Sequence, residues 1–371
     1  MSPAPTAPPP HPDLQRLRPG RVCVVKPSAL GDVVNAFHAL SALRAIWPGA
    51  SITWVINRNL RGLVDGHPEI DAVIAYDRTR AGLSPNGVAV LARFLRELRR
   101  GRFDLTIDLQ GLLRSGLMTA ATGAPVRVGL ADAREGASWF YTHRVVPPGS
   151  RDEAHAVDRL LAVAAAFGAD VSRPNAVVAV AVGGADREWA RQALAGVKRP
   201  RLGLNLGARW ETKRWPPAHF AEVARRAVEL GGAGLFALGA PEDRPFVAEL
   251  AARLDPIPVL DLSGRTSLSQ LAALAEQADV VLSNDTGPLH LAATAGARVV
   301  GVYTCTSPAL NGPYGPRAAA VGSRVGCAGS YKVTCPFRLE CMDELTPDRV
   351  WPVVAAQLDG RTPRLPRSSP R

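Results

Sequence analysis

Three short stretches carry side chains whose types and spacing could do chemistry. "LSNDTGPLHLAATAG", residues 282–296, ends an apolar run in Asn-Asp-Thr-Gly-Pro and turns at once into a helical pattern. Asp285 or Thr286 suits the helix cap, Pro288 suits the first turn, and Gly287 lets a ligand or another backbone come close. A strand that leads through a tight turn into a helix exposes unpaired N–H groups and the positive dipole end, which favours a bound anion. His290 adds a polar ring just inside that helix. "KPSALGDVVNAF", residues 26–37, is a second strand–loop–helix junction. It sets Asp32 at the helix start, where the dipole stabilises a carboxylate. "GLNLGARWETKRWPPAHF", residues 203–220, is a third. There Lys213 lies just beyond a strand end and close to a helix N-terminus, which suits a phosphate. Each residue also fits a plain role: a cap for Asp32 and Asp285, a solvated surface lysine for Lys213, a structural histidine for His290.

The elements that must position these residues alternate. From residue 21, "RVCVVK" reads as a strand, "VVNAFHALSALRAIWPG" as a helix, "SITWVIN" as a strand, "GVAVLARFLRELRRG" as a helix and "FDLTIDL" as a strand. The alternation runs to about residue 170, breaks at Pro and Gly, and restarts with "RLGLNLG". Two such runs predict an α/β protein of two doubly wound, Rossmann-like domains with parallel sheets, facing each other across a cleft. The expected boundaries are a disordered Pro-rich arm at 1–20, domains at 21–180 and 181–345, and a C-terminal helix and tail at 346–371 that returns to the first domain. Ligands of such sheets sit at the carboxyl ends of the strands. Glu242 in "LGAPEDRPF" and Ser263, Gly264 and Thr266 in "LDLSGRTSLSQLAALAE" follow two further strands. Four successive βα loops of the second domain thus bring polar groups to one edge, as a nucleotide diphosphate needs. The loop before Asp32 contains only Gly31 and no G-x-G-x-x-G, which counts against an NAD-dependent enzyme.

The chain has 371 residues, 47% apolar, and a net charge of +11 carried almost wholly by Arg. That balance favours anionic partners. Nucleic acid is not expected, because no binding motif and no basic-aromatic stripe is present. No apolar run has membrane-span length and the N-terminus lacks the apolar core of a secretory signal, so a cytoplasmic location is expected. The five cysteines, an odd number, argue against a disulfide framework. Cys327, Cys335 and Cys341 lie close enough in sequence to bind a metal, but C-x-x-C is missing and no fourth ligand is evident; no metal and no cofactor is expected.

"KPSALGD", "KRWP", "LSGRTSLSQLAAL", "SNDTGPLHLAA" and "GPYGP" occur together in this order, followed by the tail "CPFRLECMDELTPDRV". With them, residues 21–350 resemble glycosyltransferase family 9, the ADP-heptose:lipopolysaccharide heptosyltransferases. The resemblance implies a GT-B fold, with acceptor bound by the first domain and nucleotide sugar by the second. It implies inverting transfer without a bound metal, from ADP-heptose to a lipid-linked or oligosaccharide acceptor of the lipopolysaccharide core. Carried over by position, Asp32 matches the catalytic base, with Ser28 and Gly31 beside it on the acceptor side. Lys213 matches the phosphate-binding lysine. Asp285, Thr286, Gly287 and His290 match the donor-binding turn, Glu242 an acidic residue near the ribose, and Thr266 a position by the base. Two positions depart from the family pattern: His38 stands where a Pro is usual, and Trp210 lies in a loop usually rich in small hydroxyl residues.

These roles agree with the physical requirements of the reaction. Negative charge grows on the departing diphosphate, and Lys213 with the N–H groups of the 285–287 turn would stabilise it. The acceptor hydroxyl must lose a proton, for which Asp32 is the base. The helix "VAVLARFLRELRRGR" sets Leu91, Phe94, Leu95 and Leu98 on one side and adds Arg93, Arg96, Arg99, Arg100 and Arg102, a pattern that fits peripheral contact with the inner face of the cytoplasmic membrane. Three other readings stay open at this point: another sugar, a protein acceptor, or a non-catalytic nucleotide-sugar-binding protein.

Overall fold

A computed structural model of the chain describes residues 11–80, 84–172 and 178–361. It divides into two units, Met1–Ala181 and Val182–Arg371. The first holds strands β1 (Arg21–Val25), β2 (Ser51–Asn57), β3 (Ala72–Tyr76), β4 (Leu105–Asp108), β5 (Val126–Leu130) and β6 (His143–Val145). The second holds β7 (Arg201–Asn205), β8 (Gly234–Leu238), β9 (Val259–Asp261), β10 (Val280–Asn284), β11 (Val299–Tyr303) and β12 (Ala318–Gly322). Among the described residues these form two six-stranded sheets, ordered β3-β2-β1-β4-β5-β6 and β12-β11-β10-β7-β8-β9. Among the described residues every strand pair in the two sheets is parallel.

Parallel strands covered by helices on both faces are apolar on both sides, which is why the runs Val22–Val25 and Val299–Tyr303 are buried without alternation. In each sheet the chain lays three strands in one direction and then returns to the far side of its first strand. The order therefore reverses between β1 and β4 in the first unit, and between β7 and β10 in the second. At such reversals the loops beyond the two strands diverge to opposite faces and leave a crevice. Asp32 follows β1, Lys213 follows β7 and Asp285 follows β10, so sheet topology sets all three at reversal points.

Three expectations are corrected. Residues 11–20 of the supposed disordered arm are ordered: Pro12–Gln15 is a short helix and Leu14 is buried. Residues 1–10 lie outside the described residues. The C-terminal helix Pro347–Leu358 packs within the second unit, on helix Pro217–Gly231 and strands β10–β12, with Val350 and Val354 in that unit's core. The Trp215 indole N–H donates to the Leu345 carbonyl at 2.6 Å and ties the entry of this helix to the loop after β7. Residues 362–371 lie outside the described residues. In helix Pro85–Arg100, Phe94 and Leu98 pack in the core while Val88, Leu91 and Leu95 are exposed, so of the four residues read as one apolar side two are buried and two stay exposed.

Candidate functional site

In the second unit the loops after β7 and β10 meet. The short 3-10 turn Glu211–Lys213 brings the Lys213 ammonium 2.6 Å from the Asp285 carboxylate. The same carboxylate oxygen accepts from the Thr306 hydroxyl at 2.7 Å, and the other lies 3.8 Å from the His290 Nε2. Burial by itself would raise the Asp285 carboxyl. The His290 ring and the Lys213 ammonium outweigh burial and hold it down at about 2. The His290 Nδ1 atom is buried and has no hydrogen-bond partner among the described residues. The Lys213 ammonium also lies 4.7 Å from the centroid of the Trp210 ring. The bulky residue that departs from the family pattern thus forms a cation–π wall for the lysine. Of the ammonium's three N–H donors, one goes to Asp285, which leaves donors for a ligand.

The turn is braced from below. Asn205 at the end of β7 donates to the Ser283 hydroxyl at 2.8 Å and to the Thr286 hydroxyl at 3.0 Å. Asn284 donates to the Leu206 carbonyl and accepts from the Trp215 N–H. Thr286 is the N-cap residue of helix Gly287–Thr294, yet no side chain caps that helix. The expected cap is therefore corrected: the Thr286 hydroxyl is engaged by Asn205, and Asp285 turns to Lys213. Without a side-chain cap the Gly287 N–H is left for another acceptor, whereas Pro288 has none and the Leu289 N–H donates to the Thr286 carbonyl at 3.1 Å.

Glu242 and Thr266 stand in the loops after β8 and β9, on the same sheet edge, and neither makes a hydrogen bond among the described residues. These two loops are joined by the Gly264 N–H, which donates to the Gly239 carbonyl at 2.8 Å. Asp243 braces the first of them, accepting from the Ala240 N–H at 2.8 Å.

In the first unit, helix Leu30–Ile46 starts one residue after Ala29. Asp32 is exposed in its first turn and accepts from the Ala29 N–H at 3.2 Å. The plain capping role is thus present, and its second oxygen stays without a hydrogen bond among the described residues. Ser28 donates its N–H to the Gln110 side chain, at 3.3 Å, across the reversal between β1 and β4. Gly31 sits in the first helical turn.

Two residues escaped the sequence reading. Lys26, the first residue beyond β1, is buried; burial pushes its ammonium below the ordinary lysine value, and the carboxylates of Asp32 and Asp108 act against that. Asp108 ends β4 and is buried; burial raises its carboxyl, opposed by donors that include the Gly111 N–H and the Tyr141 hydroxyl, the latter at 2.7 Å. The signal for Lys26 was available, since a lysine that closes a fully apolar strand is held where the next loop can use it. Asp108 offered no such signal, because only the sheet order sets β4 beside β1.

Comparison with known proteins agrees with this geometry. The family model described as "Glycosyltransferase family 9 (heptosyltransferase)" matches residues 91–340. Lipopolysaccharide heptosyltransferase 1 of Pseudomonas aeruginosa is 34% identical over 326 residues, covering 86% of this chain and 88% of that protein. The glycosyl transferase family 9 protein of Veillonella parvula superposes with a TM-score of 0.79 at 24% identity, over 92% of this chain and 97% of that one. The E. coli heptosyltransferase WaaC, solved with ADP, superposes with a TM-score of 0.72 at 25% identity, over 91% and 99%. A doubly wound pair of sheets, a lysine–aspartate–histidine group at one strand reversal and a match over most of the length lead to one conclusion: the chain belongs to glycosyltransferase family 9.

Proposed function

We propose that this protein transfers a heptose from ADP-heptose to an acceptor of the lipopolysaccharide-core type, with inversion at the anomeric carbon and no metal at the diphosphate. The observation that carries this reading is the Lys213–Asp285–His290 group beside an uncapped helix start. Lys213 and the Gly287 N–H at the start of helix Gly287–Thr294 meet the charge that grows on the diphosphate as the bond from the anomeric carbon to its oxygen breaks. Asp285 acts on the ligand through its partners: it fixes the lysine ammonium and the His290 ring, and its own charge is neutralised by them. The unpaired His290 Nδ1 is a buried polar atom that a donor oxygen can satisfy. Gly287 leaves room for the sugar diphosphate, Glu242 bonds the ribose, and Thr266 lies by the adenine.

Asp32 is the general base. Its exposed carboxylate takes the proton of the acceptor hydroxyl while that oxygen bonds to the anomeric carbon, and ADP leaves with the former bonding pair. Ser28 and Gly31 shape the acceptor side of the same loop.

An acceptor in a lipid leaflet calls for peripheral contact. Among the described residues no helix is long and apolar enough to cross a membrane. The exposed Val88, Leu91 and Leu95 on helix Pro85–Arg100, with its arginines, support contact with an anionic surface. Helix Leu113–Thr122 packs beside it and adds exposed Leu113 and Leu117. Flotation with anionic vesicles should recover the protein at low salt and lose it at high salt; no recovery at low salt removes this part of the reading.

The test of the donor assignment is calorimetry of the purified protein with ADP, UDP, GDP and CMP, with Lys213→Ala and Asp285→Ala alongside. Selective binding of ADP, lost in both variants, supports the reading. Preference for another nucleotide points to another sugar donor, and no binding at all points to a non-catalytic protein.

A further inference from the structure

The structure gathers four of the chain's five cysteines at one place. Cys305 follows β11 and is buried, Cys327 and Cys335 lie in the segment after β12, and Cys341 is buried in the short helix Glu340–Glu344. All four line one small cavity of about 10 Å³, room for about one water-sized sphere. Sequence spacing left three thiols without a fourth partner. The missing one is Cys305, which parallel pairing of β11 with β12 brings to the same edge as the later segment.

The segment itself needs an anchor. Residues 323–339 contain no helix or strand and no buried side chain. A stretch that long exceeds the ~12–15 residues usual for a loop without structure of its own. Arg338 and Leu339 both adopt left-handed backbone (φ 51° and 60°), which wraps the chain around the Cys335 sulfur. That sulfur accepts from the Phe337 and Leu339 N–H groups at 3.3 and 3.4 Å. Paired N–H···S contacts orient the sulfur as a ligand. Lys332 lines the same cavity and adds a positive charge nearby. The segment is docked through Thr212, whose hydroxyl donates to the Lys332 carbonyl at 2.9 Å, and through the Tyr331 N–H, which donates to the Cys305 carbonyl at 2.9 Å.

We propose that Cys305, Cys327, Cys335 and Cys341 form a tetrathiolate site for one thiophilic divalent cation of the zinc class. Four soft sulfur ligands select such an ion and hold it tetrahedrally, at about 2.3 Å per Zn–S bond. Among the described residues no three His, Cys, Asp or Glu side chains are already set to hold an ion. Binding requires the Cys305 thiol to leave the Thr212 hydroxyl, to which it donates at 3.4 Å, and each cysteine has one side-chain torsion with which to turn toward the cavity that all four border. The four thiol protons leave to solvent as the ion binds. All coordination positions are filled by sulfur, so the ion is structural: it supplies the core that residues 323–339 lack and secures the loop that carries Thr212 and Lys213.

The test uses the full, reduced chain. Purified protein should carry about one equivalent of a thiophilic metal by elemental analysis. After chelation, titration with Co²⁺ should give a strong thiolate-to-metal charge-transfer band and the visible bands of tetrahedral cobalt. Cys305→Ser and Cys335→Ser should each weaken Co²⁺ retention at least tenfold, while Cys23→Ser, in β1 of the other unit, should leave it unchanged. Circular dichroism reports whether each variant folds, and the cobalt spectrum of the unaltered chain stands apart from any variant. Absence of bound metal together with no charge-transfer band from Co²⁺ overturns the proposal, as does a cobalt spectrum that survives in the folded Cys305→Ser variant.

Discussion

At the residue scale, charge placement separates two carboxylates that the sequence presents alike. Asp32 and Asp285 both stand at a strand–helix junction. Asp32 is exposed, with one oxygen bonded to the Ala29 N–H, whereas Asp285 is buried and surrounded by Lys213, Thr306 and His290. An exposed carboxylate can reach a substrate proton; a buried, neutralised one can only orient its neighbours. Asp32→Asn is therefore expected to lower kcat by ~10²–10⁴-fold with ADP affinity nearly unchanged, as rate assays beside calorimetry would read. Full activity in that variant would reject the base. For Asp285 the prediction concerns stability. Its folded value, about 2, lies below the ordinary 3.8. Its contribution, on the order of 2 kcal/mol, is then fully present above pH 4 and lost as pH falls toward 2. The Tm difference between the unaltered chain and Asp285→Asn should hold steady from about pH 7 to about pH 4 and narrow below that. A difference that does not narrow on acidification argues against a carboxylate held down by its partners.

At the element scale, the site depends on loops that are joined to one another. Gly264 has φ +65°, and a Cβ there would meet the Pro241 Cα at 2.8 Å. The close approach lets its N–H reach the Gly239 carbonyl and links the Glu242 and Thr266 loops. Gly264→Ala combines backbone strain with overpacking and should cost ~1–3 kcal/mol. Chemical denaturation would measure it, and ADP affinity should fall as well if those loops hold the nucleoside. An unchanged midpoint would mean that the link is dispensable. Helix Pro85–Arg100 shows the limit of periodicity at this scale. Its apolar residues share one face at helical spacing, so spacing could not divide Phe94 and Leu98, which pack on the sheet, from Leu91 and Leu95, which stay exposed beside them.

At the scale of the whole molecule, each unit has its own sheet and its own core clusters, and the Lys213–Asp285–His290 group lies wholly in the second. Residues 182–361 expressed alone should fold and bind ADP within about tenfold of the full chain, since ~180 residues suffice for an independent core. A folded fragment that does not bind ADP would show that the donor site draws on the first unit. The sequence by itself determined the alternation of strands and helices, the parallel α/β class, and the loops that hold Asp32, Lys213 and Asp285. It could do so because buried parallel strands are unbroken apolar runs, and because helix starts carry local cap and proline signals. Tertiary structure alone decided what those residues touch. Lys213 and Asp285 are 72 positions apart and meet because β7 pairs with β10; Asp108 comes beside the Asp32 loop because β4 pairs with β1; and Cys305 joins the later cysteines because β11 pairs with β12. Strand order is fixed by which apolar faces pack together, a global choice that no local spacing records.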